Sequence, residues 1–248
     1  MKTKKINNSI YENLGDKWYL AKDDPIALLR EESKFRNPWI LESIQKHNKS
    51  HKSSHILDLG CGGGFLSNFL SKKGYKVTGL DLAEDALKVA RQFDQTKNVN
   101  YVQGSAYHLP FKEGTFDIVC AMDFLEHVEF PQKIIKEISR VLKPGGQFFF
   151  YTFNRNILSW LFVIKGVEWI LKKTPENLHV YHLFIKPEEL EHYCKNNKLL
   201  VQTFRGVGPK IFHKNFFKFI LKREVPQDFP FTFKKSLCLG YLGHALKN

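Results

Sequence analysis

The chain has 248 residues, 43% of them hydrophobic and 14% aromatic with 22 Phe, enough to pack one α/β domain with additions and to exclude global disorder. Lys and Arg number 38 against 25 Asp and Glu, a formal charge of +13, which favours anionic partners such as phosphates, nucleic acid or acidic lipid. Cys61, Cys120, Cys194 and Cys238 are too far apart for a CxxC zinc site or a dense disulfide framework, so a reducing interior is expected.

In chain order, Met1-Lys2-Thr3-Lys4-Lys5 is basic but is followed by no apolar run or cleavage site, so no secretory signal is read. Residues 1–50 are expected to form an N-terminal helical cap on a domain spanning 51–248. His55 to Leu59 reads as a strand, and Leu66, Phe69 and Leu70 follow at helical spacing until Gly74. Lys76 to Leu80 is a second strand, Ala83 to Arg91 a helix, Val99 to Val102 a short strand and Phe116 to Ala121 an apolar one. Pro131 to Leu142 places Ile134, Ile135, Ile138, Val141 and Leu142 on one helical face before Lys143-Pro144-Gly145-Gly146. Phe148 to Phe153 is apolar on both faces, as in a parallel sheet.

Beyond Asn154 a helical insertion of about 155–185 is expected, then a helix from Pro187 and closing strands at Leu199 to Phe204 and Leu237 to Leu246. The apolar stretch from Ile157 to Leu171 is broken by Lys165, Gly166 and Glu168, too short and interrupted for a membrane span. Alternating strands and helices predict a doubly wound, Rossmann-like, mostly parallel sheet of seven strands.

The loop Asp58-Leu59-Gly60-Cys61-Gly62-Gly63-Gly64 sits between a strand and a helix, where backbone approaches a ligand and helix N–H groups face it. Its spacing is GxGxG, with Phe65 where a dinucleotide fingerprint has its last glycine. Asp81 ends the second strand, where a carboxylate can accept from both ribose hydroxyls of a nucleoside.

With Gly104-Ser105-Ala106, Phe116-Asp117-Ile118-Val119 and Leu142-Lys143-Pro144-Gly145-Gly146, the chain resembles the class I S-adenosylmethionine (SAM) methyltransferases. The resemblance implies that Asp58, Gly60 and Gly62 hold the methionine end of SAM, that Cys61 between them also borders the cofactor, and that Asp81 holds the ribose. It places Leu82, Ser105 and Ala106 at the adenine and Met122 on the floor.

A narrower resemblance rests on Trp18-Tyr19, Asn37-Pro38, Leu125-Glu126-His127-Val128, Asn154-Arg155-Asn156, Ser159-Trp160, Gly166-Val167-Glu168 and Phe184-Ile185-Lys186-Pro187. It is to the quinone-biosynthesis O-methyltransferases, which act on polyprenyl catechols and demethylubiquinol. That implies a lipophilic phenol or catechol as acceptor.

Asp123, Glu126 and His127 are three and four residues apart, so a helical turn would put them on one face. The resemblance implies Mg²⁺ at these positions, whereas in metal-free relatives the same His shapes the pocket. Two departures stand out. Asp123 replaces the usual Glu, and Ile40 stands where the family commonly has an Arg near the SAM carboxylate. Arg36, one turn earlier, is either its substitute or a surface charge.

His127 and His179 are the candidate general bases, His179 by its place five residues before Phe184. Residues 157–173 mix aromatics with Lys165, Lys172 and Lys173, fitting either an interfacial helix on an anionic membrane or a lid packed on the sheet. The expectation is a cytoplasmic enzyme associated peripherally with membrane. Another small molecule or RNA as acceptor, and a non-catalytic SAM-binding protein, remain as rivals; against RNA, no nucleic-acid module or dense basic tract is present.

Overall fold

The computed structural model describes residues 5–47 and 53–248. The basic start at residues 1–4 and the junction at 48–52 between cap and domain lie outside them.

Two helices come first, α1 (Lys17–Leu20) and α2 (Pro25–His47). The alternating core follows: β1 (His55–Leu59), α3 (Phe65–Lys72), β2 (Lys76–Asp81), α4 (Glu84–Phe93), β3 (Asn100–Gln103), β4 (Phe116–Met122), α5 (Pro131–Val141) and β5 (Leu142–Phe153). Next come α6 (Ile157–Ser159), a π-helical turn (Trp160–Lys165) and α7 (Gly166–Ile170). The chain closes through α8 (Pro187–Lys195), β6 (Leu199–Pro209), α9 (Lys214–Lys222), β7 (Phe231–Lys234) and β8 (Gly240–Lys247).

The strands form one sheet in the order β3-β2-β1-β4-β5-β8-β6-β7. The neighbours from β3 to β5 pair in parallel, while β8 runs antiparallel between β5 and β6. Side chains alternate across the sheet. Leu57, Leu59, Val119, Ala121, Phe148 and Phe150 meet Ile134, Ile135, Ile138 and Leu190 on one face. Ile56, Ile118, Cys120 and Phe149 meet Ile40, Ile44, Leu66 and Leu70 on the other. The central strands are therefore buried twice over, and the N-terminal helix α2 is part of the same core.

Two expectations change. An eighth strand, β7, pairs with β6 at the sheet edge, Gly206 opposite Lys234 through Pro209 opposite Phe231. Its residues Phe231-Thr232-Phe233-Lys234 do alternate apolar and polar, a strand signal that the seven-strand expectation omits. β5 also begins at Leu142, earlier than Phe148. Leu142 is already extended (φ −71°, ψ 140°) and pairs with Phe116, but the next partners are Ile118 and Gln147. Lys143 to Gly146 thus bulge out of the ladder, with Gly145 at φ 72°.

Candidate active site

Strand order reverses beside β1, and the carboxyl ends of β1, β2 and β4 open there into a cavity of about 890 Å³. Asp58, Gly60, Cys61, Gly62, Asp81, Leu82, Ser105, Ala106 and Met122 all border it.

Gly60 and Gly62 have φ of 70° and 49°, the left-handed region that side-chained residues avoid. A Cβ on Gly62 would stand 2.6 Å from the Trp18 ring, and one on Gly60 would collide with Phe124. The turn is fixed from below by Asp81. Its carboxylate accepts from the Gly62 N–H at 2.8 Å and the Ala83 N–H at 2.9 Å, one on each oxygen. Each oxygen keeps a lone pair for a ribose hydroxyl. Burial raises the Asp81 pKa, and the hydrogen bonds oppose that rise.

Asp58 is 3% exposed and accepts from Ser67 Oγ at 2.6 Å. Burial pushes its carboxyl up to about 6. Cys61 packs in an apolar cluster with Leu87, Ala90 and Tyr101, and burial raises its thiol. Leu82, by contrast, is 70% exposed at the rim of the cavity.

Arg36 is not a surface charge. It is 1% exposed, borders the cavity, pairs with Asp123 and lies 4.2 Å over the Tyr151 ring. Its Nε and Nη1 are buried without partners. Tyr151 donates to Glu32 at 2.6 Å, one helical turn before Arg36. Burial lifts Glu32 to about 7, with Arg36 opposing and Asp123 adding to the rise. Ile40 is fully buried in the core cluster, so it offers the cavity nothing.

The expected single-faced triad of Asp123, Glu126 and His127 is not formed. Asp123 takes the left-handed conformation (φ 52°), and only Leu125–His127 turn, as a three-residue 3₁₀ helix. Asp123 is held by Arg36, while Glu126 is fully buried away from the cavity wall and accepts from Thr152 Oγ1 at 2.8 Å. Its Oε1 has no partner, and burial, then Asp123, pushes its carboxyl up to about 8. Among the described residues no three His, Cys, Asp or Glu groups converge as a metal set. These residues do not fit Mg²⁺ as arranged, so no chemical step is derived through an ion.

His127 and His179 do come together on the cavity wall, with ring centroids 5.4 Å apart. Burial lowers His127 to about 4 and His179 to about 3, with His127 adding to the latter shift. Both are neutral at ordinary pH. His127 Nε2 lies 3.4 Å from the Tyr11 hydroxyl, and its Nδ1 is buried without a partner. His179 is ringed by Phe153 and Phe184.

The sequence did not point to Tyr11, Glu32 or Tyr151. Tyr11 belongs to a strap across the cavity. Asn8 Nδ2 donates to the His127 carbonyl, Tyr11 stacks on Trp18, Trp18 covers Gly62 and Gly63, and the Tyr19 hydroxyl donates to the Gly63 carbonyl at 2.9 Å. Contacts more than a hundred residues apart leave no local pattern. Glu32 and Arg36 do carry a signal, an i,i+4 pair of opposite charge on one helix.

An apolar arm of the same cavity is lined by Phe162, Val163, Val167, Ile170, Phe216 and Phe231, the last four packed in one cluster. Residues 57–150 match the family model of a methyltransferase domain. The chain is 40% identical over 174 residues to the ubiquinone biosynthesis O-methyltransferase of Nitrosococcus oceani, covering 69% of this chain and 73% of that one. It is 34% identical over 223 residues to the protein of the same name from Coxiella burnetii, covering 88% and 91%. Among solved structures it resembles the PH0226 protein of Pyrococcus horikoshii OT3 (TM-score 0.60, 23% identity, 89% and 91% covered). It also resembles the magnesium protoporphyrin IX methyltransferase of Synechocystis PCC 6803 with bound SAH (TM-score 0.60, 16% identity, 91% and 86% covered). At such identities the two structures share the fold with this chain.

Proposed function

The chain belongs to the ubiquinone biosynthesis O-methyltransferase family, and from that premise we propose how its site methylates the phenolic hydroxyl of a polyprenyl catechol or demethylubiquinol. It is a SAM-dependent O-methyltransferase with the class I Rossmann-like fold. SAM lies against the glycine turn: Asp81 takes the ribose hydroxyls, Leu82, Ser105 and Ala106 border the adenine, and Met122 forms the floor. Arg36 binds the methionyl carboxylate: it lines the same cavity as Asp58 and Gly60, and its buried guanidinium has two nitrogens without partners. Asp58 braces the turn through Ser67.

When bound, SAM supplies an electrophilic sulfonium methyl. The phenolic oxygen of the acceptor attacks that carbon in line as the carbon–sulfur bond breaks, and the phenolic proton passes to an imidazole. The single observation carrying this reading is the pair of neutral histidines lining the same cavity as the glycine turn. An imidazole with a pKa near 4 is a poor base toward a resting phenol, whose pKa is about 10. It suffices once the oxygen–carbon bond is forming, because a protonated aryl ether is a far stronger acid than either. Proton removal therefore accompanies methyl transfer, with Tyr11 holding His127 in place.

The apolar arm receives the prenyl tail. No described helix is long and apolar enough to cross a membrane. Ile157, Leu158, Trp160, Phe162 and Trp169 are nonetheless exposed beside Lys165 and Lys172, which supports contact of 157–173 with an anionic membrane surface.

The test is single-turnover methyl transfer to a short-tailed catechol by the parent, His127→Ala and His179→Ala, each with Mg²⁺ and with chelator. The expected result is a rate lowered about a hundredfold or more by loss of the base, with SAM affinity retained and little effect of chelator on the parent. Turnover abolished by chelator and restored by Mg²⁺ would mean that Asp123 and Glu126 regroup around an ion, and proton removal by histidine alone would fall.

A further inference from the structure

Asn154, Arg155, Asn156 and Ser159 follow directly on β5, yet none of them lines the cavity. Three of the four grip one short turn. Asn154 Nδ2 donates to the Leu237 carbonyl at 2.9 Å, and Asn156 Nδ2 and Ser159 Oγ both donate to the Cys238 carbonyl, at 2.9 and 2.8 Å. The Asn156 Oδ1 also accepts from the Ser159 N–H at 3.0 Å and so caps α6. The start of the segment between β5 and α8 is thereby fixed to the turn before β8, whose Leu239 and Gly240 do line the cavity.

Arg155 reaches the far end of the same segment. Its Nη1 donates to the Phe184 carbonyl at 3.1 Å and the His182 carbonyl at 3.3 Å, and its Nη2 donates to Glu189. The other Glu189 oxygen accepts from the Lys186 N–H at 3.1 Å, and the Ile185 N–H donates to the Phe153 carbonyl at 3.0 Å. One guanidinium, with its rigid fork of donors, therefore draws closed the loop that carries His179. The rings on either side of that histidine, Phe153 and Phe184, belong to the two strands of chain that the clasp brings together.

We propose that Arg155 is a positioning residue for methyl transfer: by clasping the carbonyls of His182 and Phe184 it seats the Phe184 ring and, through it, His179 on the cavity wall beside His127. The catalytic consequence rests on the reading of an imidazole as proton acceptor given above, whereas the clasp itself does not. The Arg155 and Glu189 side chains are 29% and 32% exposed, so their pairing contributes little to global stability and the chain folds without it.

The test compares Arg155→Ala and Arg155→Lys with the parent and combines each with His179→Ala. Steady-state methyl transfer to a short-tailed catechol, SAM titration and amide hydrogen exchange by mass spectrometry are measured on the full chain. Arg155→Ala should lower kcat about tenfold with SAM affinity unchanged, and Arg155→Lys, which keeps the charge without the fork, should fall between it and the parent. The same substitutions in the His179→Ala background should cost less than about twofold, because the group they position is gone. Amides 183–185 should exchange faster in Arg155→Ala while those of the glycine turn exchange as in the parent. Additive losses in the double variants, unchanged exchange at 183–185, or SAM affinity lost together with the rate would each overturn the proposal. If the parent methylates no catechol, the acceptor reading falls by itself, and exchange still decides the clasp: faster exchange confined to the segment before α8 upholds it, and faster exchange across the sheet overturns it.

Discussion

Arg36 shows how burial gives one side chain two tasks. Its charge is compensated by Asp123 and by the Tyr151 ring, yet two of its buried nitrogens remain unpaired. Arg36→Met should weaken SAM binding by about tenfold or more, as expected for a lost charge-assisted hydrogen bond. It should also cost about 1–3 kcal/mol of stability, since the largely buried Asp123 (12% exposed) is left without a partner. In Arg36→Met/Asp123→Asn the melting temperature should recover and the SAM affinity should not; calorimetric titration and thermal unfolding separate the two. The histidines predict a pH dependence. An unfolded imidazole titrates near 6.5, whereas folding depresses His127 to about 4 and His179 to about 3. The unfolded chain thus binds more protons in that window, so this contribution is present above about pH 6.5 and is lost as pH falls through 4 to 3. Asp58 and Glu126, raised to about 6 and about 8, act in the opposite sense, their contribution being lost as pH rises. The histidine part is read from a difference: His179→Leu should lose less stability than the parent between pH 7 and 4.5 in thermal unfolding.

Among the elements, the glycine turn, the strap and the 3₁₀ turn after β4 were legible to different degrees, and geometry explains the differences. The glycine turn is a local matter of φ and side-chain size, so four glycines among five residues after an apolar strand disclose it. Gly62→Ala should cost about 1–2 kcal/mol from its backbone conformation alone and, by pushing on Trp18, remove most SAM affinity. Unchanged SAM binding in titration would show that the turn does not cradle the ligand. The strap is defined by contacts such as Asn8 to His127 and Tyr11 to His127, which no local spacing encodes. Tyr11→Phe should lower kcat about tenfold with SAM affinity intact, a split a purely structural role would not produce. The 123–127 stretch misled because helical spacing puts three ligands on one face only if the chain turns regularly. Left-handed backbone at Asp123 breaks that regularity and sends Glu126 to Thr152.

For the whole molecule, the sheet was readable wherever strands are buried on both faces, because continuous apolar runs such as Phe148 to Phe153 have no solvent side. It was missed at the edge, where the alternating Phe231-Thr232-Phe233-Lys234 of β7 is only the shortest length that can signal a strand. The residues proposed to hold SAM were legible as a group, since they lie at strand ends and all line one cavity. The acceptor half joins the strap, the β4 turn and the insertion, elements far apart in sequence. The account of the two halves as one methyltransferase site is tested most directly by incubating the enzyme with methyl-deuterated SAM and a short-tailed polyprenyl catechol and analysing the product by mass spectrometry. The expected product carries one deuterated methyl on a phenolic oxygen, is absent in Asp81→Ala and falls sharply in His127→Ala. A protein that binds SAM but leaves the catechol unlabelled, or labels it equally well without His127, would contradict the assignment of the acceptor side.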